Sequence, residues 1–340
     1  MNTTTLLTQL SKLTGISGME SDVAESLRNL LSPYGNIHTT PLGSIICTAR
    51  TSAEGQPNIL LDAHMDEPGM IVTFIEDSGF LRVSNCGGLD RALLMASQVE
   101  IHTSGGIMPG VICSIPPHLQ DGSEKNNPKI EDVLVDVGYP GDKCRELIRP
   151  GDRVNLRSTP RELLGGLVSG KALDNRAGCC CLIKVLELLK DEELNCGLSV
   201  VFSSMEEIGG QGAKTAAYGV APTHAVVVDV SYAHTPDSPR EKCGKIGDGP
   251  MVGFSPILSR ELSDKLVDIA KSTEIPYQYE AMGGSTGTNA DHIATTRTGV
   301  RTALVSIPLK YMHSPTEVVD PQDVDNSATL IAALVCEISG

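Results

Sequence analysis

The apolar, β-branched run at residues 198–202 passes through Ser203, Ser204 and Met205 into two adjacent carboxylates, Glu206 and Glu207, and then into the turn Gly209-Gly210-Gln211-Gly212. A short apolar run bounded by turn residues reads as a buried strand. In an open α/β sheet the carboxyl ends of such strands line the ligand crevice. Consecutive residues leaving a strand point in different directions, so Glu206 and Glu207 are placed for different tasks at one centre. One suits holding a metal, the other handling a proton. A solvated acidic turn is the alternative, and the rest of the chain decides between the two.

The same pattern recurs. A run at 58–63 ends in His64-Met65-Asp66, a run at 224–228 leads to Asp229, and a run at 302–308 leads to His313. Asp174 opens a helix expected at 174–190. If these strands share one mainly parallel sheet, their carboxyl ends meet in a single crevice. Taken singly, each residue has a plain explanation: a structural histidine, a helix cap at Asp174, a turn residue at Asp229. Their joint arrival at element ends favours one site. Two imidazoles with several carboxylates suit zinc, cobalt or manganese better than calcium, and there are donors enough for two divalent ions. A carboxylate such as Asp174 can bridge two ions. Ions ~3.5–4 Å apart acidify a shared water and clamp a tetrahedral intermediate. Asp66, two residues after His64, is a natural partner for its imidazole. This is the chemistry of amide-bond hydrolysis.

Along the chain, helical spacing marks 5–13 and 20–31, the second through Val23, Leu27, Leu30 and Leu31, with Ser17 or Ser21 as its cap. A first strand is expected at 43–49. After Pro68 the texture changes to short apolar runs at 70–75, 98–102, 110–115, 133–137 and 153–156, parted by Gly87-Gly88, Gly105-Gly106, Pro116-Pro117 and Pro140-Gly141. That spacing predicts an all-β unit, a small barrel or sandwich. The polar stretch 120–129 reads as a loop. Helices are expected again at 261–271 and 323–338. The 340 residues thus divide into a discontinuous α/β domain, 1–67 with 163–340, and a β insert, 68–162.

A formal net charge of −15 argues against a nucleic-acid partner. No apolar run approaches the ~20 residues of a membrane span. Residues 1–10 are polar without a basic start, and none of the ten cysteines forms a Cys-x-x-Cys pair. Free thiols and a cytoplasmic location are the expectation. Cys179, Cys180 and Cys181 read as buried helix packing. The run Gly283-Gly284-Ser285-Thr286-Gly287-Thr288 lacks a phosphate-loop lysine. It reads as a contact to substrate backbone or as a flexible loop.

Six segments, ILLDAHMDEPG (59–69), GKALDNRAG (170–178), SMEEIGGQG (204–212), VVD (227–229), GTNADHI (287–293) and HSPTEVV (313–319), together resemble the tetrahedral aminopeptidase family, which includes glutamyl aminopeptidases and proteins once labelled cellulase M. Pro116-Pro117-His118 and residues 132–138 carry the likeness into the insert. The resemblance implies an α/β metallopeptidase domain with a barrel-like dimerisation insert, and dimers that build a dodecamer. It implies that His64 and Asp229 hold one ion, Glu207 and His313 the other, and that Asp174 bridges them. Glu206 is implied as general base toward a metal-bridging water, and Asp66 as the residue that orients His64. A cis Asp174–Asn175 bond is implied as well, with no role given to Asn175. The implied reaction removes N-terminal residues from short peptides with a free amine. Two alternatives stand beside it. A glycosidase would set carboxyl groups ~5–9.5 Å apart across a bond, which fits neighbouring Glu206 and Glu207 less well than metal binding does. A non-catalytic assembly protein with structural zinc would close its site, usually with thiolates.

Overall fold

A computed structural model describes residues 1–119 and 128–340 of the protein. The chain opens with α1 (Thr3–Lys12) and α2 (Ser21–Leu31), which bury Leu6, Leu7 and Leu10, and Val23, Leu27 and Leu31. Neither serine caps α2. Glu20 holds that position, and Ser17 donates its hydroxyl to the buried Asp66 carboxylate at 2.7 Å instead. An ionised acceptor competes better for a hydroxyl than a helix terminus does. Strands β1 (Asn36–Thr39), β2 (Ile45–Arg50) and β3 (Asn58–His64) follow.

The next strands, β4 (Gly69–Ile75), β5 (Leu81–Cys86), β6 (Gln98–Thr103), β7 (Gly106–Ile112), β8 (Leu134–Asp136) and β9 (Arg153–Leu156), close a barrel in the order β4-β5-β8-β7-β6-β9. Its neighbouring strands are antiparallel, and Met70, Val83, Val99, Ile101, Val135 and Val154 fill its own core. A barrel, rather than a sandwich, results because β4 and β9 pair and leave no edge. A short α3 (Gly141–Leu147) packs on it. Of the polar stretch 120–129, residues 120–127 lie outside the described residues.

The chain then supplies β10 (Arg161–Glu162), β11 (Val168–Gly170), α4 (Leu173–Leu189), β12 (Gly197–Ser203), α5 (Gln211–Val220), β13 (His224–Tyr232), β14 (Met251–Phe254), α6 (Arg260–Ser272), β15 (Gln278–Ala281), α7 (Asn289–Ala294), β16 (Arg301–Leu309), β17 (Glu317–Val319) and α8 (Pro321–Ser339). The main sheet runs β1-β2-β12-β3-β13-β16-β14-β15. Its four central strands, β12, β3, β13 and β16, are parallel, whereas β2–β12 and β14–β16 are antiparallel, so the sheet is mixed with a parallel centre. Side chains alternate across it. Leu61, Phe202 and Val228 join α1, α4, α6 and α8 in one core, while Leu60, Val201 and Val227 join α5 and α7 in another. His64 and Asp229 continue the second alternation, which places them at the carboxyl ends of the central strands on the α5–α7 side.

Asp174 and Asn175 leave helical dihedral angles at the start of α4, and the peptide bond between them is cis. All ten cysteines are free thiols, and Cys179, Cys180 and Cys181 are fully buried in α4. No helix among the described residues is long and apolar enough to cross a membrane.

Candidate metal centre

Parallel register sets the first part of the site. Ser203 pairs with His64, and Val227 pairs with Asp62, so Asp229 comes level with His64 on the next strand. Asp229 is not a turn residue. β13 continues beyond it to Tyr232 because β16 offers partners as far as Leu309. Asp174 reaches the same place from the start of α4. Its Oδ1 lies 3.1 Å from His64 Nε2, and Asp229 Oδ1 lies 3.7 Å from that nitrogen. Its other oxygen, Oδ2, lies 3.3 Å from His313 Nε2, and Glu207 Oε1 lies 3.5 Å from it. One carboxylate therefore faces two pairs, each an imidazole with an acid. Glu206 joins them in the wall of a cavity of about 800 Å³. Six of the seven residues singled out in the sequence converge here, with the seventh, Asp66, just behind them.

Asp66 does more than the sequence indicated. Its carboxylate lies 3.5 Å from His64 Nδ1, and that nitrogen donates to the Asp66 carbonyl at 3.2 Å, which turns Nε2 toward the centre. The same carboxylate accepts the main-chain N–H of Glu206 at 3.0 Å and of Glu207 at 3.2 Å. It thus fixes the Glu-Glu turn relative to β3.

Sequence reasoning gave no role to Glu317, which is buried and receives the N–H of Asp174 at 3.1 Å and of His313 at 2.8 Å. His313 has φ +61, so its backbone sits in the left-handed region. Glu317 holds it there. Asn175, also passed over, is fully buried and donates to Val228 O at 2.8 Å, tying Asp174 to the strand carrying Asp229. The only available signal for either was proximity to a motif histidine or aspartate. Gly87-Gly88, expected as a mere turn, closes over the site: a Cβ on Gly87 (φ +86) would meet Glu207 Cβ at 3.0 Å, and one on Gly88 would meet His313 Nδ1 at 3.2 Å. The glycine-rich run is organised by Asp291, which accepts the N–H of Thr286 at 2.9 Å and of Gly287 at 3.1 Å, and Thr286 and Gly287 line the cavity.

Burial dominates the electrostatics. It raises the Glu207 and Asp229 carboxyls well above their ordinary values, and the charge of Asp174 adds to both shifts. Burial also raises Glu206, against the pull of His64. For Asp174 burial is outweighed by hydrogen bonds from His313 and His64, which hold it below the carboxylate range. Burial opposes charging of His64, but Asp174 and Asp66 overcome it and raise the imidazole well above its usual value. The site gathers four carboxylates, Asp174, Glu206, Glu207 and Asp229, around two imidazoles, and so calls for compensating positive charge. Two divalent ions would supply four charges. Glu207 Oε1 is buried with no hydrogen-bond partner among the described residues. Donors bound to one tetrahedral zinc at ~2.0–2.2 Å stand roughly 3.3–3.6 Å apart. The imidazole–carboxylate separations of 3.1–3.7 Å bracket that value. The residues fit a pair of divalent cations.

A mixed sheet with a parallel centre, carboxylates and imidazoles converging at its strand ends, and a roomy crevice beside them define a candidate divalent-metal centre in an α/β protein. Comparison with known proteins narrows the class. The M42 glutamyl aminopeptidase family model matches residues 43–330, and the chain belongs to that family, the tetrahedral aminopeptidases. The lysyl aminopeptidase of Pyrococcus furiosus is 30% identical over 339 residues, which span 98% of this chain and 96% of that protein. An aminopeptidase structure from the archaeon Desulfurococcus kamchatkensis superposes with a TM-score of 0.91 at 32% identity, covering 98% of this chain and 94% of its own. The TET1 peptidase of Pyrococcus horikoshii, which can assemble into a tetrahedron or a large octahedral shell, gives a TM-score of 0.87 at 32% identity over 98% and 99% of the two chains.

Proposed function

We propose that the protein is a metal-dependent aminopeptidase that removes N-terminal residues from short peptides. The observation that carries the reading is the two-sided Asp174 carboxylate, with His64 and Asp229 on one side and His313 and Glu207 on the other. His64 and Asp229 would hold one divalent ion, Glu207 and His313 a second, with Asp174 shared. Zinc or cobalt suits the donors best, and manganese is accommodated. Such a pair supplies Lewis-acid polarisation of the scissile carbonyl and acidifies the attacking water. Glu206 takes the proton of that water and returns it to the leaving amine. Asp66 keeps His64 oriented and holds the Glu206 backbone in place. Surplus carboxylates in the crevice receive the free α-amine.

Chelation with EDTA is expected to abolish cleavage of aminoacyl-p-nitroanilides, and added zinc or cobalt to restore it. N-acetylated substrates should be inert under the restored conditions. Equal cleavage of free and acetylated peptides would refute the exopeptidase reading. Retention of hydrolysis in EDTA would favour a glycosidase-like or metal-free chemistry instead, and a protein that binds metal but cleaves nothing would favour a purely structural role.

The division into an α/β unit, 1–67 with 163–340, and an insert, 68–162, belongs to the same reading, as does a cytoplasmic location. Phe74, Ile107 and Val111 stand out from the barrel largely exposed, which supports the insert as a dimer contact. Closed-shell relatives support a dodecamer built from such dimers. Light scattering at micromolar concentration is expected to give twelve subunits, and Ile107→Lys to yield smaller species. A fully active monomer would overturn this part of the proposal.

A further inference from the structure

The crevice extends along the sheet, past Asp229, to a carboxylate outside the two imidazole–acid pairs. Glu280 stands on the edge strand β15, opposite Gly253 in the register with β14. Gly253 has no side chain to stand in the way, so Glu280 reaches across β14. It accepts the Ser306 hydroxyl of β16 at 2.6 Å and the Ser231 hydroxyl of β13. Ser306 pairs with Asp229 in register, and Ser231 lies two residues beyond Asp229 on the same face. Glu280, Ser231, Ser306 and Asp229 line one cavity. Strands are ~4.8 Å apart, so the Glu280 carboxylate lies one to two strand spacings, roughly 5–10 Å, from that of Asp229. This is the reach of one extended amino-acid side chain away from the reacting carbonyl.

We propose that Glu280 selects the side chain of the substrate's N-terminal residue, and that it selects for lysine or arginine. The inference rests on the aminopeptidase reading of the neighbouring centre. Two hydroxyls hold the carboxylate in one orientation, so a cation arriving at it loses little to reorganisation. Burial raises the Glu280 carboxyl, and the Ser231 and Ser306 hydroxyls draw it back. A cationic side chain of the substrate would meet a partly buried carboxylate already oriented by two hydroxyls, and hydrogen bonds to a charged group are the strong ones. The competing feature is Lys242, which lines the same cavity and would favour acidic side chains. It sits exposed at the end of a short 3₁₀ helix, Arg240–Lys242, beside Glu241, also exposed. An exposed lysine next to an acid is a weaker selector than a carboxylate pinned to the sheet.

Lysyl-, leucyl- and glutamyl-p-nitroanilides with the zinc- or cobalt-loaded protein test this. Wild type should favour the lysyl substrate in kcat/KM. Glu280→Gln, close to isosteric, should lower the lysyl-to-leucyl ratio by about 10- to 100-fold, the worth of a hydrogen bond to a charged group. Ser306→Ala, which unpins the carboxylate without removing it, should lower the ratio by a smaller factor, and it carries the test if Glu280→Gln fails to fold. A wild-type preference for leucyl or glutamyl substrate overturns the proposal. So does an equal loss on all three substrates, which would make Glu280 an anchor for the α-amine or a structural residue. A wild type that cleaves none of the three overturns the aminopeptidase reading and this inference with it.

Discussion

Glu206→Gln is expected to lower kcat by ~10²–10⁴-fold while bound metal and subunit assembly stay at wild-type values. The substitution keeps the side-chain volume and removes only the basic oxygen. The Glu206 backbone is fixed independently, because its N–H donates to Asp66 Oδ1 at 3.0 Å whatever the side chain. Glu206 also lies outside the two imidazole–acid pairs about Asp174, so its loss leaves those donors in place. Glu207→Gln should behave differently. Glu207 Oε1 lies 3.5 Å from His313 Nε2 and has no hydrogen-bond partner of its own among the described residues. Weakening it should lower metal content toward one ion per subunit, and excess metal should recover part of the rate. Metal content by mass spectrometry beside single-turnover rates separates the two variants. If Glu206→Gln loses metal while Glu207→Gln keeps both ions and stays inactive, the roles are reversed. Full activity in both would reduce the pair to a solvated turn.

Most of the places where the sequence was legible share one physical property: apart from Asp174, which opens a helix, the site residues follow an apolar run, and burial followed by charge is a local signal. His64, Glu206, Glu207 and His313 were found that way, and Asp229 was found despite a strand end set four residues early. What escaped depends on contacts distant along the chain. Glu317 matters through two backbone N–H groups, one of them on Asp174, 143 residues away. Asn175 matters through the carbonyl of Val228, a neighbour only after β13 and α4 have packed. β5 was missed because Leu81-Arg82-Val83-Ser84-Asn85-Cys86 alternates rather than forming an apolar run, and β1 because its residues are largely exposed at the sheet edge. Barrel and sandwich share the same strand periodicity. Only the β4–β9 pairing decides between them, and no local pattern encodes it.

Asp174→Ala should do more damage than any other single change at the centre. Its two oxygens face the two halves of the site: Oδ1 at 3.1 Å from His64 and Oδ2 at 3.3 Å from His313. The anchors beside it, Glu317 at the Asp174 N–H and Asn175 at the Val228 carbonyl, serve to present that one carboxylate. Removing it takes a donor from both ions at once. The remaining acids, Glu207 and Asp229, lie against different imidazoles, so neither substitutes for it. The variant should bind less than one equivalent of zinc or cobalt and lose about 10³-fold or more in kcat/KM, since several kcal/mol of transition-state stabilisation depend on the ions. Excess metal should not restore it, in contrast to Glu207→Gln. Folding is expected to persist, because the anchoring hydrogen bonds run through the backbone and Asn175. Unchanged far-ultraviolet circular dichroism would establish that. Two full equivalents of metal in folded Asp174→Ala would show that the carboxylate is not shared, and the two-ion centre built around it would have to be abandoned.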